Sequence, residues 1–226
     1  ASIGGKTGVN HKGFKNMIGT FNQPVQVIID TKFLKSLSKL EIQCGLMEVI
    51  KHGLISDKSF FVWLEKNLKQ ILSLKPQFIE RAIKRSIEIK ADVVSKDEKE
   101  NGLRAILNFG HTFGHALETI GNNKLYTHGE AVALGMLAAT KLSESISDLD
   151  PKVFDRVHST IKNTGIKVKL KKKIFPKKLI KLMQSDKKKN NSQLKFILLE
   201  KIGKAKIKSV SNEVAIENAI KNSLFY

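Results

Sequence analysis

Between Arg104 and His115 this chain places Arg104, Asn108, His111 and His115 at steps of four, three and four residues. On an α-helix, with about 3.6 residues per turn, those steps draw a single stripe along one face. Such a stripe normally carries Leu and Ile toward a core; here it carries a guanidinium, an amide and two imidazoles. The spacing predicts a helix from Arg104 to about Ile120 with a polar working face. A third histidine, His128, follows in Thr127-His128-Gly129-Glu130. Groups of this kind suit a metal and an anion better than they suit packing.

The rest of the chain reads as helical around that stripe. Ser38 with Glu41 and Thr127 with Glu130 have the spacing of capping boxes, which predicts helices from there to Leu54 and over Ala131 to Ile146. Further helices are expected over Ser59 to Leu72, from Pro76 to about Val94, from Asp150-Pro151 to Gly165, and over Glu213 to Phe225. Gln193 to Leu199 and Ala205 to Val210, joined around Gly203, read as a hairpin. Residues 1–23, rich in Gly, Asn and Lys, read as loop or hairpin. The β-branched run Val25 to Ile29 after Pro24 reads as a short strand ending at Asp30. The expected fold class is therefore mainly α, preceded by the tail of something that contains strands.

With 226 residues the chain can bury one good core. No apolar run reaches the ~18–20 residues that span a bilayer, so no membrane partner is expected. The chain opens without Met and in mid-motif at Ala1-Ser2-Ile3-Gly4-Gly5-Lys6, which suggests a piece of a longer protein. Its single cysteine, Cys44, permits no disulfide within these residues and fits a reducing cytoplasm. The net charge of +19 invites a nucleic-acid reading. Nearly all the basic residues are Lys, however, spread over helix faces or gathered in Lys171-Lys172-Lys173 and Lys187-Lys188-Lys189, without interleaved aromatics to stack on bases. No nucleic-acid partner is expected.

Catalytic zinc sites commonly use three protein ligands and keep a position open. His111 and His128 qualify by type, and a carboxylate is the usual third partner. Glu48, set between Met47 and Val49 with Lys51 one turn along, is the best candidate, although spacing alone does not select it from the other acidic residues. Gly4-Gly5-Lys6-Thr7-Gly8 has the glycines of a phosphate-cradling loop without P-loop spacing. Lys90 lies among apolar neighbours, as long lysines that cover apolar surface often do.

Taken in order, Gly4-Gly5-Lys6-Thr7-Gly8-Val9-Asn10, Lys15-Asn16-Met17-Ile18-Gly19, Gly45-Leu46-Met47-Glu48-Val49-Ile50-Lys51, Asn108-Phe109-Gly110-His111-Thr112-Phe113-Gly114-His115, His128-Gly129-Glu130 and Asp186-Lys187-Lys188 resemble 3-dehydroquinate synthase. The resemblance covers the whole chain. It implies a helical zinc-binding C-terminal domain over residues 38–226, preceded by the last loop and strand of a truncated α/β NAD-binding domain over residues 1–37. It implies Glu48, His111 and His128 as zinc ligands, with cobalt as an alternative metal. Lys6, Lys15 and Phe33-Leu34-Lys35-Ser36 would line NAD. Lys90, Arg104 and Asn108 would hold the substrate carboxylate and hydroxyls, and Lys6, Asn16 and Lys187 its phosphate. Glu100 and His115 would move protons, and Lys51 would be a further active-site lysine. The implied protein is a cytoplasmic, homodimeric lyase. It would turn a phosphorylated sugar acid, 3-deoxy-D-arabino-heptulosonate 7-phosphate, into 3-dehydroquinate and phosphate. Departures from the family pattern are Phe14, with Lys12 and Gly13 before it, Met47 in place of a common Ala, and His52 in place of a common Tyr. A related sugar-phosphate cyclase, a metal-dependent polyol dehydrogenase and a non-catalytic zinc-binding remnant are the competing readings.

Overall fold

The computed structural model describes residues 2–11, 14–121, 124–185 and 193–225. Among these residues eight α-helices follow two short strands: β1 (Val9–His11), β2 (Phe14–Ile18), α1 (Lys39–Ser56), α2 (Lys58–Leu72), α3 (Pro76–Lys96), α4 (His111–Ile120), α5 (His128–Ser147), α6 (Pro151–Asn163) and α7 (Pro176–Ser185). The hairpin strands β3 (Leu194–Lys201) and β4 (Lys204–Val210) come next, and α8 (Glu213–Leu224) closes the chain. Two 3-10 helices, Thr31–Ser36 and Leu103–Asn108, punctuate the order.

The core is built around α5. Ala131, Val132, Ala133, Leu134, Met136, Leu137, Ala138, Ala139 and Leu142 are all buried, so this helix is apolar on every side. Helices α1, α4, α6 and α8 and strand β3 pack around it. Both expected capping boxes form: Ser38 and Glu41 exchange side-chain and backbone bonds at the start of α1, as Thr127 and Glu130 do at the start of α5. Glycine turns set two later boundaries, Gly165 (φ 92) after α6 and Gly203 (φ 86) in the β3–β4 hairpin. The hairpin tip docks on the end of α1 through Gly203 N–H to Leu54 O, 2.8 Å.

Two expectations need correction. Val25 to Ile29 forms no strand, and Val25, Ile28 and Ile29 are exposed; β-branched residues favour a sheet only where another strand supplies the ladder bonds, and none does so among the described residues. Asp30 instead caps the Thr31–Ser36 3-10 helix, accepting from Lys32 N–H at 2.9 Å.

The single helix expected from Arg104 to Ile120 is also two pieces. The 3-10 helix ends at Asn108, Phe109 is buried in extended backbone, and Gly110 takes the left-handed conformation at φ 81 before α4 begins at His111. In a 3-10 helix a step of four residues turns about 120° away from the starting face, so Arg104 and Asn108 point differently. Helix α7 is one that the spacing did not announce. Its apolar side, with Leu179, Ile180 and Met183, is buried.

Candidate metal centre

Three elements converge on one point. Glu48 sits midway along α1, His111 is the first residue of α4, and His128 is the first residue of α5. The two histidine-bearing helix starts come together because the α4–α5 seam is made of small residues. A Cβ on Gly135 would lie 2.0 Å from Gly110 O, and one on Gly114 would lie 3.1 Å from Ala131 O. Backbone therefore meets backbone, and the His111 and His128 rings are 5.4 Å apart. One ligand atom each from Glu48, His111 and His128 falls within 4.8 Å of the others.

Glu48 Oε1 is buried with no hydrogen-bond partner. Nε2 of His111 stands 3.8 Å from it and Nε2 of His128 3.9 Å. A buried carboxylate oxygen normally finds a donor. Here it faces two ring nitrogens across a gap that a cation would fill, which is the fit expected of a two-histidine, one-carboxylate set. Burial pushes the Glu48 carboxyl up, but Lys51 and His111 outweigh it and hold it at about 2. Burial, reinforced by the Lys51 charge, holds His111 down at about 3. At neutral pH the pair is then an anion beside a neutral imidazole, the protonation state a divalent metal requires. His111 Nδ1 donates to Phe109 O at 3.2 Å and His128 Nδ1 to Glu118 Oε1 at 3.3 Å, leaving both Nε2 atoms for the cluster.

Cations surround this point. Lys51 is buried and ion-paired with Glu48 Oε2, and burial lowers its pKa. Lys90, half-buried on α3, is lowered by burial and then by repulsion from Lys51, with Arg104 and Lys6 adding to it. Lys6 pairs with Glu100, which accepts from Asn108 Nδ2 at 2.8 Å. Burial raises the Glu100 carboxyl, but those two partners bring it below the usual range. Arg104 is 3% exposed and donates to Gly4 O at 2.6 Å and to Glu98 O. The exposed His115 ring meets the His111 ring edge-on at 5.5 Å.

The structure thus gathers Glu48, Lys51, His111, His115 and His128, and joins Lys6, Glu100 and Asn108 in a second group. Lys15 and Asn16 lie in β2, and Phe33, Leu34, Lys35 and Ser36 lie in the Thr31–Ser36 3-10 helix, with Phe33 75% exposed. Lys187 lies outside the described residues, as do Lys12 and Gly13. Met47 is fully buried, and His52 is buried against Ser86, its Nδ1 2.7 Å from Oγ. Sequence reasoning missed Glu118. Its position seven residues after His111, almost two turns along one helix, was the signal that could have found it.

A helical body closed around such a cluster is the architecture of the sugar-phosphate cyclases. The 2-epi-5-epi-valiolone synthase of Streptomyces hygroscopicus subsp. jinggangensis, solved with NAD+ and Zn2+ bound, superposes with a TM-score of 0.87 at 26% identity, covering 98% of this chain and 61% of that one. A 2-deoxy-scyllo-inosose synthase, solved with carbaglucose-6-phosphate, NAD+ and Co2+, gives 0.82 at 26% identity, over 97% of this chain and 62% of that one. Residues 45–189 match the 3-dehydroquinate synthase C-terminal family model and residues 1–44 the N-terminal one, and the chain belongs to the 3-dehydroquinate synthase family. The 3-dehydroquinate synthase of Nitrosomonas europaea is 47% identical over 91% of this chain and 55% of its own length. That of Thermoanaerobacter pseudethanolicus is 44% identical over 94% and 60%. The chain therefore spans little more than half the length of these relatives.

Proposed function

We propose that this chain carries the metal- and substrate-binding part of a 3-dehydroquinate synthase, the shikimate-pathway lyase that converts 3-deoxy-D-arabino-heptulosonate 7-phosphate to 3-dehydroquinate and phosphate. The observation that carries the reading is Glu48 Oε1, buried, unpartnered and faced by two imidazole Nε2 atoms. This donor set suits zinc, with cobalt as the alternative, and the cyclases crystallised with NAD+ and either metal support the same cofactors here. Identities of 44–47% to 3-dehydroquinate synthases, against 26% to the cyclases, favour a substrate bearing a carboxylate.

When bound, the metal supplies Lewis-acid polarisation of substrate hydroxyls and NAD+ accepts and returns a hydride. Around them, Lys90, Arg104 and Asn108 hold the substrate carboxylate and hydroxyls, and Lys6, Asn16 and Lys187 offset the phosphate charge. Lys51 keeps Glu48 ionised and adds positive charge beside the reacting carbons. Glu100, kept ionised by Lys6 and Asn108, and His115, one turn beyond His111, move the protons. Lys6, Lys15 and residues 33–36 line the dinucleotide. We place the domain boundary between residues 37 and 38, where the 3-10 helix gives way to the capped start of α1. A cytoplasmic homodimer completes the reading, the lone Cys44 supporting a reducing compartment.

The test has two parts. Protein purified without added metal should hold close to one divalent ion per chain, lost in His111→Ala. A chimaera that joins the preceding, NAD-binding part of the Nitrosomonas europaea 3-dehydroquinate synthase to this chain should restore growth without aromatic amino acids to a strain lacking 3-dehydroquinate synthase, and its His111→Ala version should not. Metal retained in His111→Ala, or phosphate released faster from a substrate without the carboxylate, would overturn the metal or the substrate assignment respectively.

A further inference from the structure

Glu118 and His111 leave the same face of α4, seven residues apart, toward the start of α5. The Glu118 side chain is 6% exposed, and its Oε1 lies 3.3 Å from His128 Nδ1. A carboxylate oxygen facing a ring nitrogen at this distance is the acceptor and the ring N–H the donor. This contact favours the ring proton on Nδ1, which leaves the Nε2 lone pair facing Glu48 Oε1 at 3.9 Å. The two histidines reach this same tautomer by different means. His111, with 13% of its side chain exposed, is gripped by packing and needs only the Phe109 carbonyl. His128 is 53% exposed, so little packing fixes its ring. For that ring a buried carboxylate is the stronger tether, and it also makes the imidazole a better electron donor.

We infer that Glu118 is a positioning residue of the metal centre: it orients His128, commits Nε2 to the cation and raises the affinity of the site. The inference rests on reading Glu48, His111 and His128 as ligands, and its test separates the two. Wild type, Glu118→Gln, Glu118→Ala and His111→Ala are titrated with Zn2+ against a chelator, and with Co2+ followed by visible absorption. Glu118→Ala should weaken zinc binding roughly 10–100-fold and shift the Co2+ bands. Glu118→Gln, which keeps a carbonyl acceptor, should lose less. Metal-free melting of the Glu118→Gln protein should match wild type, so that its weaker binding reflects ligand geometry and not unfolding. Zinc affinities within twofold of wild type, with unchanged Co2+ spectra in both Glu118 variants, would overturn the role of Glu118 and leave the ligands standing. A wild-type chain that binds no zinc would overturn the ligand assignment and this inference with it.

Discussion

Arg104 shows what a residue spacing can and cannot tell. Its spacing suggested a functional cation on one helix face, a face that the two-piece backbone does not form, and the family resemblance implies a hold on the substrate carboxylate. In the folded chain its guanidinium also closes a clasp: Nη2 donates to Gly4 O at 2.6 Å, Nη1 donates to Glu98 O, and the Phe21 ring lies 5.7 Å away. Gly4 accepts this neighbour only because it lacks a side chain and adopts φ 108; a Cβ there would stand 2.5 Å from Nη2. Arg104→Ala would leave two carbonyls without their donor, each at a cost of about 1–3 kcal/mol if it stays buried. At roughly 2–4 °C per kcal/mol for a chain of this size, the melting temperature should fall by several degrees with zinc content unchanged. Arg104→Lys should not restore it, because an ammonium cannot span both carbonyls as the planar fork does. A melting temperature equal to wild type would show that the clasp contributes nothing to stability.

Helix ends, by contrast, were legible because their chemistry is local. Ser38 with Glu41 and Thr127 with Glu130 satisfy the first amides of α1 and α5 within three residues, so the sequence announces them directly. The break at Phe109–Gly110 was not legible, because its cause lies in another element: α5 passes so close that the chain must turn at a glycine. The Val25 to Ile29 run misled for the related reason that a strand is defined by its neighbour. The α4–α5 seam is the device that sets the spacing of His111 and His128, and it can be tested with two alanines. Gly135→Ala drives a Cβ to 2.0 Å from Gly110 O and must part the helices; overpacking of this kind costs about 1–3 kcal/mol or more. Melting temperature and zinc affinity should fall together. Gly45→Ala, in the middle of α1 with nothing within 4 Å of its added Cβ, should leave zinc binding intact and stabilise by up to about 1 kcal/mol. Equal loss of zinc in both variants would refute the seam as the determinant of ligand spacing.

For the molecule as a whole, the two halves of the proposed chemistry are unequally represented. The proposed metal ligands come from three helices that share one core, whereas the groups assigned to NAD lie before β1 at Lys6, in β2 and in the Thr31–Ser36 3-10 helix, outside it. Even the second polar group crosses the chain, Lys6 reaching Glu100 over 94 positions, a distance no spacing rule could bridge. Dinucleotide folds bind their cofactor in the crevice at the carboxyl ends of parallel strands. The described strands here form two antiparallel two-stranded hairpins, and the N-terminal family model matches only residues 1–44. Val25, Ile28 and Phe33 are exposed. The metal site and the cofactor site should therefore separate in this 226-residue chain. Zinc should bind tightly, since its three ligands and their tethers are all in place. NAD+ should bind weakly, because a few backbone and lysine contacts must offset the cofactor's loss of freedom without an enclosing crevice. Calorimetric titration of the zinc-loaded chain with NAD+ reads this directly: heat too small to fit below millimolar concentrations is the expected result, and micromolar affinity would mean that the dinucleotide site is built from the helical body after all.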